Sequence, residues 1–233
     1  MYSLRLNFRP FSGATRQRGI GLIESVLATI VGAFILIMMM RWMLASSNDL
    51  RAKRNADSLQ QFTQMASIYL DANRDGLVKA MTDGTGAVTF CQINANPTTG
   101  ASGTQANSVA LHTCALDANW LIYKGVLPAG VATTNPYGQR WIAIYKLVYA
   151  DYDKNAGTPN TTQGDVEMLV VATGGTPTPA DDLGLTMVLM GGTGGLVPAA
   201  TWGTAGSPCL YTAATKQACG TNGWVADLSN FVF

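Results

Sequence analysis

The chain has 233 residues, a formal net charge of +1 and a charged fraction of 12%, about half the usual level of roughly 25%. A length of this order holds one soluble domain of about 100 to 200 residues plus an extra element. The near-neutral balance argues against a nucleic-acid partner, which would need a basic face or stripe.

The chain opens on its most basic part. Before Gly19 there are four arginines, Arg5, Arg9, Arg16 and Arg18, and no acid, whereas the remainder carries eleven Lys plus Arg against fourteen Asp plus Glu. This asymmetry reads as positive-inside, with residues 1–19 in the cytoplasm and everything after Trp42 across the membrane. From Ile20 to Met40 run 21 residues with one charge, Glu24. At about 1.5 Å per residue they match the roughly 30 Å hydrocarbon core of a bilayer.

A secretory signal would have a shorter apolar region, of about 7 to 15 residues, followed by a small-residue cleavage site. The one candidate, Ala45 to Ser47, follows Arg41 and fits poorly. Three readings remain: a signal anchor, a cleaved signal peptide, and a leader cut before the apolar segment. The third accounts for Glu24. A carboxylate in apolar surroundings costs on the order of a few kcal/mol and is kept where it has a partner. A cut after Gly19 makes Ile20 a free amino terminus, with Glu24 one helical turn along on the same face. The amine and the acid then pair within one chain or between neighbouring helices, and the helix dipole favours an acid in the first turn.

The stretch around Gly19, Ile20, Leu22, Ile23 and Glu24 resembles the class III signal of type IV prepilins and pseudopilins: a basic leader ending in Gly, then an apolar start with Glu at the fifth mature position. The resemblance implies cleavage by a prepilin peptidase between Gly19 and Ile20, and assembly with other pilins through Glu24. Ile20 and Gly21 replace the Phe and the Thr or Ser usual in the family. The 19-residue leader is similar to that of the type IVb class.

Beyond the membrane, "SSNDLRAKRNADSLQQFTQMASIYLDANRDG" becomes amphipathic. Leu59, Phe62, Met65, Ala66 and Tyr69 fall on one helical face, with Arg, Lys, Asp and Gln opposite. One helix is expected from Ile20 to about Asn73, with Gly76 as its stop. From Gly84 the pattern changes to short β-rich runs between Gly, Pro, Asn and Thr clusters. "AVTFCQI", "WIAIYKLVY", "VEMLVVA" and "GWVADL" read as strands. "PADDLGLTMVLMGG" reads as a short helix capped by Asp181 or Asp182 and closed by Gly191. The expected fold class is α+β, a long N-terminal helix packed on an antiparallel sheet. Its parts are a leader over 1–19, a membrane half of the helix over 20–44, an amphipathic half over 45–75, and a pilin-like globular domain over 76–233.

Four cysteines, Cys91, Cys114, Cys209 and Cys219, lie on the translocated side, where oxidising conditions favour bridges. Sequence proximity selects Cys91 with Cys114 and Cys209 with Cys219 among three connectivities. A metal site is the rival, but there is no CxxC spacing, and His112 is the only histidine. "DANRDG" supplies Asp71, Asn73, Asp75 and Gly76 with the spacing that begins a calcium loop, yet Thr82 stands where a bidentate Glu belongs. "DYDKN" at Asp151, Asp153 and Asn155 reads as a hairpin turn. The glycine runs "TGGTP" and "GGTGGLVP" lack the Lys-Ser or Lys-Thr of a phosphate cradle. No nucleophile elbow or catalytic cysteine setting is present. Neither a catalytic residue nor a cofactor or metal is expected.

A second resemblance covers about Leu127 to Phe231. The order "GVLPAGVATTNPYGQRWIAIYKLV", "VEMLVVATGGTPTP", a short helix, "MGGTGGLVP" and "GWVADLSNF" is similar to the N-terminal constant region of shufflon-type minor pilins. In that family a pilin module at the tip of a type IVb thin pilus, known from conjugative plasmids, carries an invertible segment that recognises lipopolysaccharide. The sequence ends at Phe233 without such a segment, so contact with lipopolysaccharide or another surface glycan is carried over to no residue here. The resemblance implies a minor pilin-like subunit, anchored in the inner membrane with a periplasmic domain and then displayed on an extracellular pilus. Adhesion, priming or conjugation would be its duties. Two other readings stand beside it: a type II secretion pseudopilin, which would use calcium, and an uncleaved bitopic protein with a binding ectodomain.

Overall fold

The computed structural model of the chain describes residues 22–149, 152–153, 158–159, 164–198, 209, 212 and 215–233. It is an α+β protein. The first helix, α1, runs over Leu22–Thr82, and the chain divides into two compact units between Ser46 and Ser47. The described residues of the first unit are helical throughout.

In the second unit, Ala52, Ala56, Phe62, Ala66 and Tyr69 are buried on one face of α1, at the spacing of three and four that a 3.6-residue period requires. At Ala66 the small side chain leaves the backbone open to a close partner. The Tyr145 hydroxyl, itself fully buried, donates to the Ala66 carbonyl at 2.7 Å.

The expected stop at Gly76 is corrected by the structure. The helix bends at Asn73, whose backbone is not helical (φ −126°, ψ 18°) and whose Nδ2 donates to the Tyr69 carbonyl at 2.9 Å. It then continues to Thr82. Gly76 serves a close approach instead, since a Cβ there would collide with the Phe90 ring. The chain turns only at Gly84 and Gly86, both at positive φ, the region open to glycine without steric cost.

A second expectation also changes. "AVTFCQI" is not one strand: Ala87–Phe90 forms a helical turn, α2, and only Gln92–Ile93 is extended, as β1. The strands that follow are β2 Thr104–Gln105, β3 Asn107–Ser108 and β4 Thr113–Asp117. Helix α3, Ala118–Tyr123, then leads to β5 Arg140–Tyr149. The short pair β6 Tyr152–Asp153 and β7 Thr158–Pro159 precedes β8 Gly164–Thr173. Helix α4, Ala180–Met190, is followed by β9 Gly195–Leu196, β10 Gln217–Gly220 and β11 Val225–Asp227.

The main sheet has the order β3-β4-β5-β8 and is antiparallel throughout, with Ala115 opposite Ile144 and Ile144 opposite Leu169. Side chains on a strand alternate between faces. Trp141, Ala143, Tyr145 and Leu147 of β5 join Phe62, Ala66, Tyr69, Leu77 and Met81 of α1 in the larger core. On the opposite face Ala115, Ile142 and Ile144 are covered by Ile93, Val171 and Phe231. Two covered faces explain why "WIAIYKLVY" alternates only partly in polarity.

Asp117 ties several of these elements together. It is 2% exposed. Its Oδ1 accepts from the Trp120 N–H at 2.9 Å, capping α3, and its Oδ2 accepts from the Asn94 N–H at 2.8 Å. Arg140 donates to the Asn94 side chain. Burial pushes the Asp117 carboxyl above the usual carboxylate range, against the pull of the backbone N–H groups and Arg140. Asp117→Ala should lower stability by about 2 to 3 kcal/mol, the sum expected for a lost cap and a second unsatisfied donor. Asp117→Asn should cost less than half of that, because one carbonyl acceptor remains. Urea unfolding of the two variants checks both figures.

Candidate functional site

The described part of the first unit presents its apolar surface outward. Val26, Ile30, Phe34, Ile35, Met39 and Leu44 are all at least half exposed, and Trp42 is 75% exposed. Between Ser25 and Asn48 the only charge is Arg41. Water would not tolerate so much contiguous apolar surface on a folded monomer, whereas hydrocarbon would. One polar side chain of the segment is satisfied within it, as hydrocarbon demands: the Thr29 hydroxyl donates to the Ser25 carbonyl at 2.7 Å. By length and composition, α1 is able to cross a membrane.

Of the residues singled out in the sequence, Gly19 and Ile20 lie outside the described residues, and Glu24 falls within α1. The cysteines form the two bridges that proximity selects. Cys91 and Cys114 join the start of β1 to β4, with Cα atoms 5.3 Å apart and both residues fully buried. Cys209 and Cys219 are bridged at a Cα separation of 5.9 Å, the second of them in β10.

"DANRDG" is not a loop. Asp71 and Asp75 are exposed residues of α1, and Arg74 reaches Asp165 of β8 at 3.9 Å and the Gly164 carbonyl at 3.2 Å. No group of three metal-binding side chains occurs among the described residues. In the stretch "DYDKN", Asp153 lies in β6, paired with Thr158, and Asp151 and Asn155 lie outside the described residues. Gly174 and Gly175 occupy a bend after β8, and "GGT" at Gly191–Thr193 is a single 3₁₀ turn.

Sequence reasoning missed β4, α3 and the role of Asp117. The signal was present as an Asp three residues before Trp120, the spacing of an N-cap, inside a run too short to read by period. It also misplaced the start of α4. Pro179 is the N-cap, and Asp181 and Asp182 lie in the first turn. Asp182 is 3% exposed and accepts from the Tyr137 hydroxyl at 2.6 Å. Gly191, at φ 66°, closes the helix as expected.

The tyrosines set an alkaline limit. Desolvation, then the hydrogen bond to Asp182, pushes Tyr137 up to about 12. Burial raises Tyr69 and Tyr145 as well. A phenol raised in the folded state contributes stability that is fully present below its unfolded value of about 10 and lost as pH climbs through the folded value. The melting temperature should therefore hold to about pH 10 and fall between there and about 12, and Tyr137→Phe should flatten part of that fall.

These residues define an α+β protein with two disulfides and, among the described residues, one helix long and apolar enough to cross a membrane. No protein-family model, curated protein or solved structure matches the chain.

Proposed function

We propose that the chain is a minor type IV pilin-like structural subunit, cut by a prepilin peptidase after Gly19 and built into a type IVb-like pilus. The observation that carries this reading is the division of labour within α1. Its first part is apolar and exposed from Val26 to Leu44, and in its later part Phe62 to Met81 supply the buried face of a core shared with an antiparallel sheet. A helix that serves lipid or other helices first and a globular domain afterwards suits a subunit that waits in a bilayer and then packs with its like. The four leader arginines, Gly19 at the cut and Glu24 four residues past the new terminus add the sequence half of the argument. Two bridged cysteine pairs suit an oxidising compartment beyond the inner membrane. Display at a tip, with adhesion or conjugation as its use, is the finer form of the same proposal.

The test is the mass of the amino-terminal peptide from membrane and sheared-fibre fractions of the native host. A start at Ile20 in the fibre fraction is the expected result. A start at Met1 in every fraction would mean an uncleaved anchor and would end the pilus reading.

A further inference from the structure

The apolar segment of α1 carries a groove with a cation on its rim. Ile35, Met38, Met39 and Trp42 fall at positions i, i+3, i+4 and i+7, one stripe of the helix, and together with Arg41 they line an open groove. All four apolar side chains are at least half exposed. Helical side chains lean toward the amino terminus, so Arg41 leans over Met38, one turn earlier.

Arg41 lacks an anion. It makes no ion pair among the described residues, and between Ser25 and Asn48 it is the only charge. The nearest acids in sequence, Glu24 and Asp49, are both more than two helical turns away. Its depth suggests what fills the gap. The apolar run from Ile20 to Met40 matches the thickness of the hydrocarbon, which puts Arg41 and Trp42 at its far boundary, the level of the lipid phosphates. Indole and guanidinium both settle there, the first as an interfacial anchor and the second by reaching out of the hydrocarbon.

We propose that this groove seats an anionic phospholipid, with its phosphate on Arg41 and an acyl chain along Ile35, Met38 and Met39. Charge selects the occupant. A second copy in the same bilayer would bring its own Arg41 to the same depth, and like charges repel. A zwitterionic lipid carries a cation beside its phosphate, which competes with the guanidinium. A headgroup of net negative charge leaves its phosphate oxygens to the planar fork of Arg41. Below that fork the unbranched, adaptable side chains of Met38 and Met39 suit a flexible chain. The inference rests on the membrane part of the pilin reading and not on cleavage or assembly.

The experiment uses the full-length chain in nanodiscs of phosphatidylethanolamine and phosphatidylglycerol, with bromine on the acyl chains of one lipid or the other. Bromine quenches tryptophan on contact. Trp42 is the only tryptophan of the apolar segment, so its signal is the difference between the unaltered chain and Trp42→Phe. The expected result is stronger quenching by brominated phosphatidylglycerol at equal mole fraction. The association ratio should be about fivefold, the equivalent of about 1 kcal/mol for one basic group at an anionic surface. Arg41→Gln should bring that ratio to one, and Arg41→Lys, which keeps the charge, should keep a preference. Equal quenching by the two lipids in the unaltered chain, or a preference that survives Arg41→Gln, would overturn the proposal while leaving the segment in the bilayer. Quenching by neither lipid would overturn it as well and would count against the membrane reading itself. Cleavage after Gly19 is read separately from amino-terminal mass, so a failure of the pilus reading leaves the lipid result standing.

Discussion

A chain carrying Cys91→Ala together with Cys114→Ala is expected to lose about 3.5 kcal/mol of stability from loop closure alone. The bridge spans a separation of 23 residues. Both sulfurs sit in the larger core among Ala87, Leu116 and Trp120, so the cavity left by the two thiols adds to the entropic loss. The second bridge closes a loop of separation 10, and its Cys219 is only half-buried. Its double alanine variant should cost less, about 2.5 to 3 kcal/mol, with little cavity contribution. Urea denaturation of both variants orders them. Equal midpoints would mean that burial of the first bridge adds nothing.

The second large effect belongs to the amino terminus. On the proposed pilin reading, Gly19→Arg should leave the chain at full length, because that family's pattern demands glycine before the cut. Glu24→Gln should be cut normally but recovered from sheared fibres at a level lower by a factor of ten or more, roughly the 1.4 kcal/mol or greater carried by a charge pair in apolar surroundings. Amino-terminal mass and fibre yield read the two steps separately. Full recovery of Glu24→Gln subunits would remove the pairing argument while leaving the cut untouched.

Much of the architecture is legible in the sequence because its signals are long. The apolar run after Ile20 and the stripe through Phe62, Ala66 and Tyr69 each extend over several helical turns, and "WIAIYKLVY" is strand-like over nine residues. What escaped was short or depended on distant partners. Five residues of β4 are too few to show a period, and "AVTF" turns helical because Gly84 and Gly86 redirect the chain beneath Phe90. Gly76 was read as a stop because the ring that needs its smallness comes fourteen residues later. Of the candidate site, the disulfide pairing was readable from spacing. The burial of Asp182 in α4 was not, since it follows from Tyr137, far away in the chain.

The bridge between Cys91 and Cys114 also has a mechanical meaning. When the chain is pulled, extension comes from residues drawn out of the fold at about 3.4 Å each. Covalent closure between β1 and β4 withholds the 23-residue span from that extension, so about 80 Å of slack is never released under tension. A force-extension trace of the oxidised chain should be shorter by that length than one recorded in reductant, and β4, whose neighbours in the sheet are β3 and β5, remains tethered after its hydrogen bonds have parted.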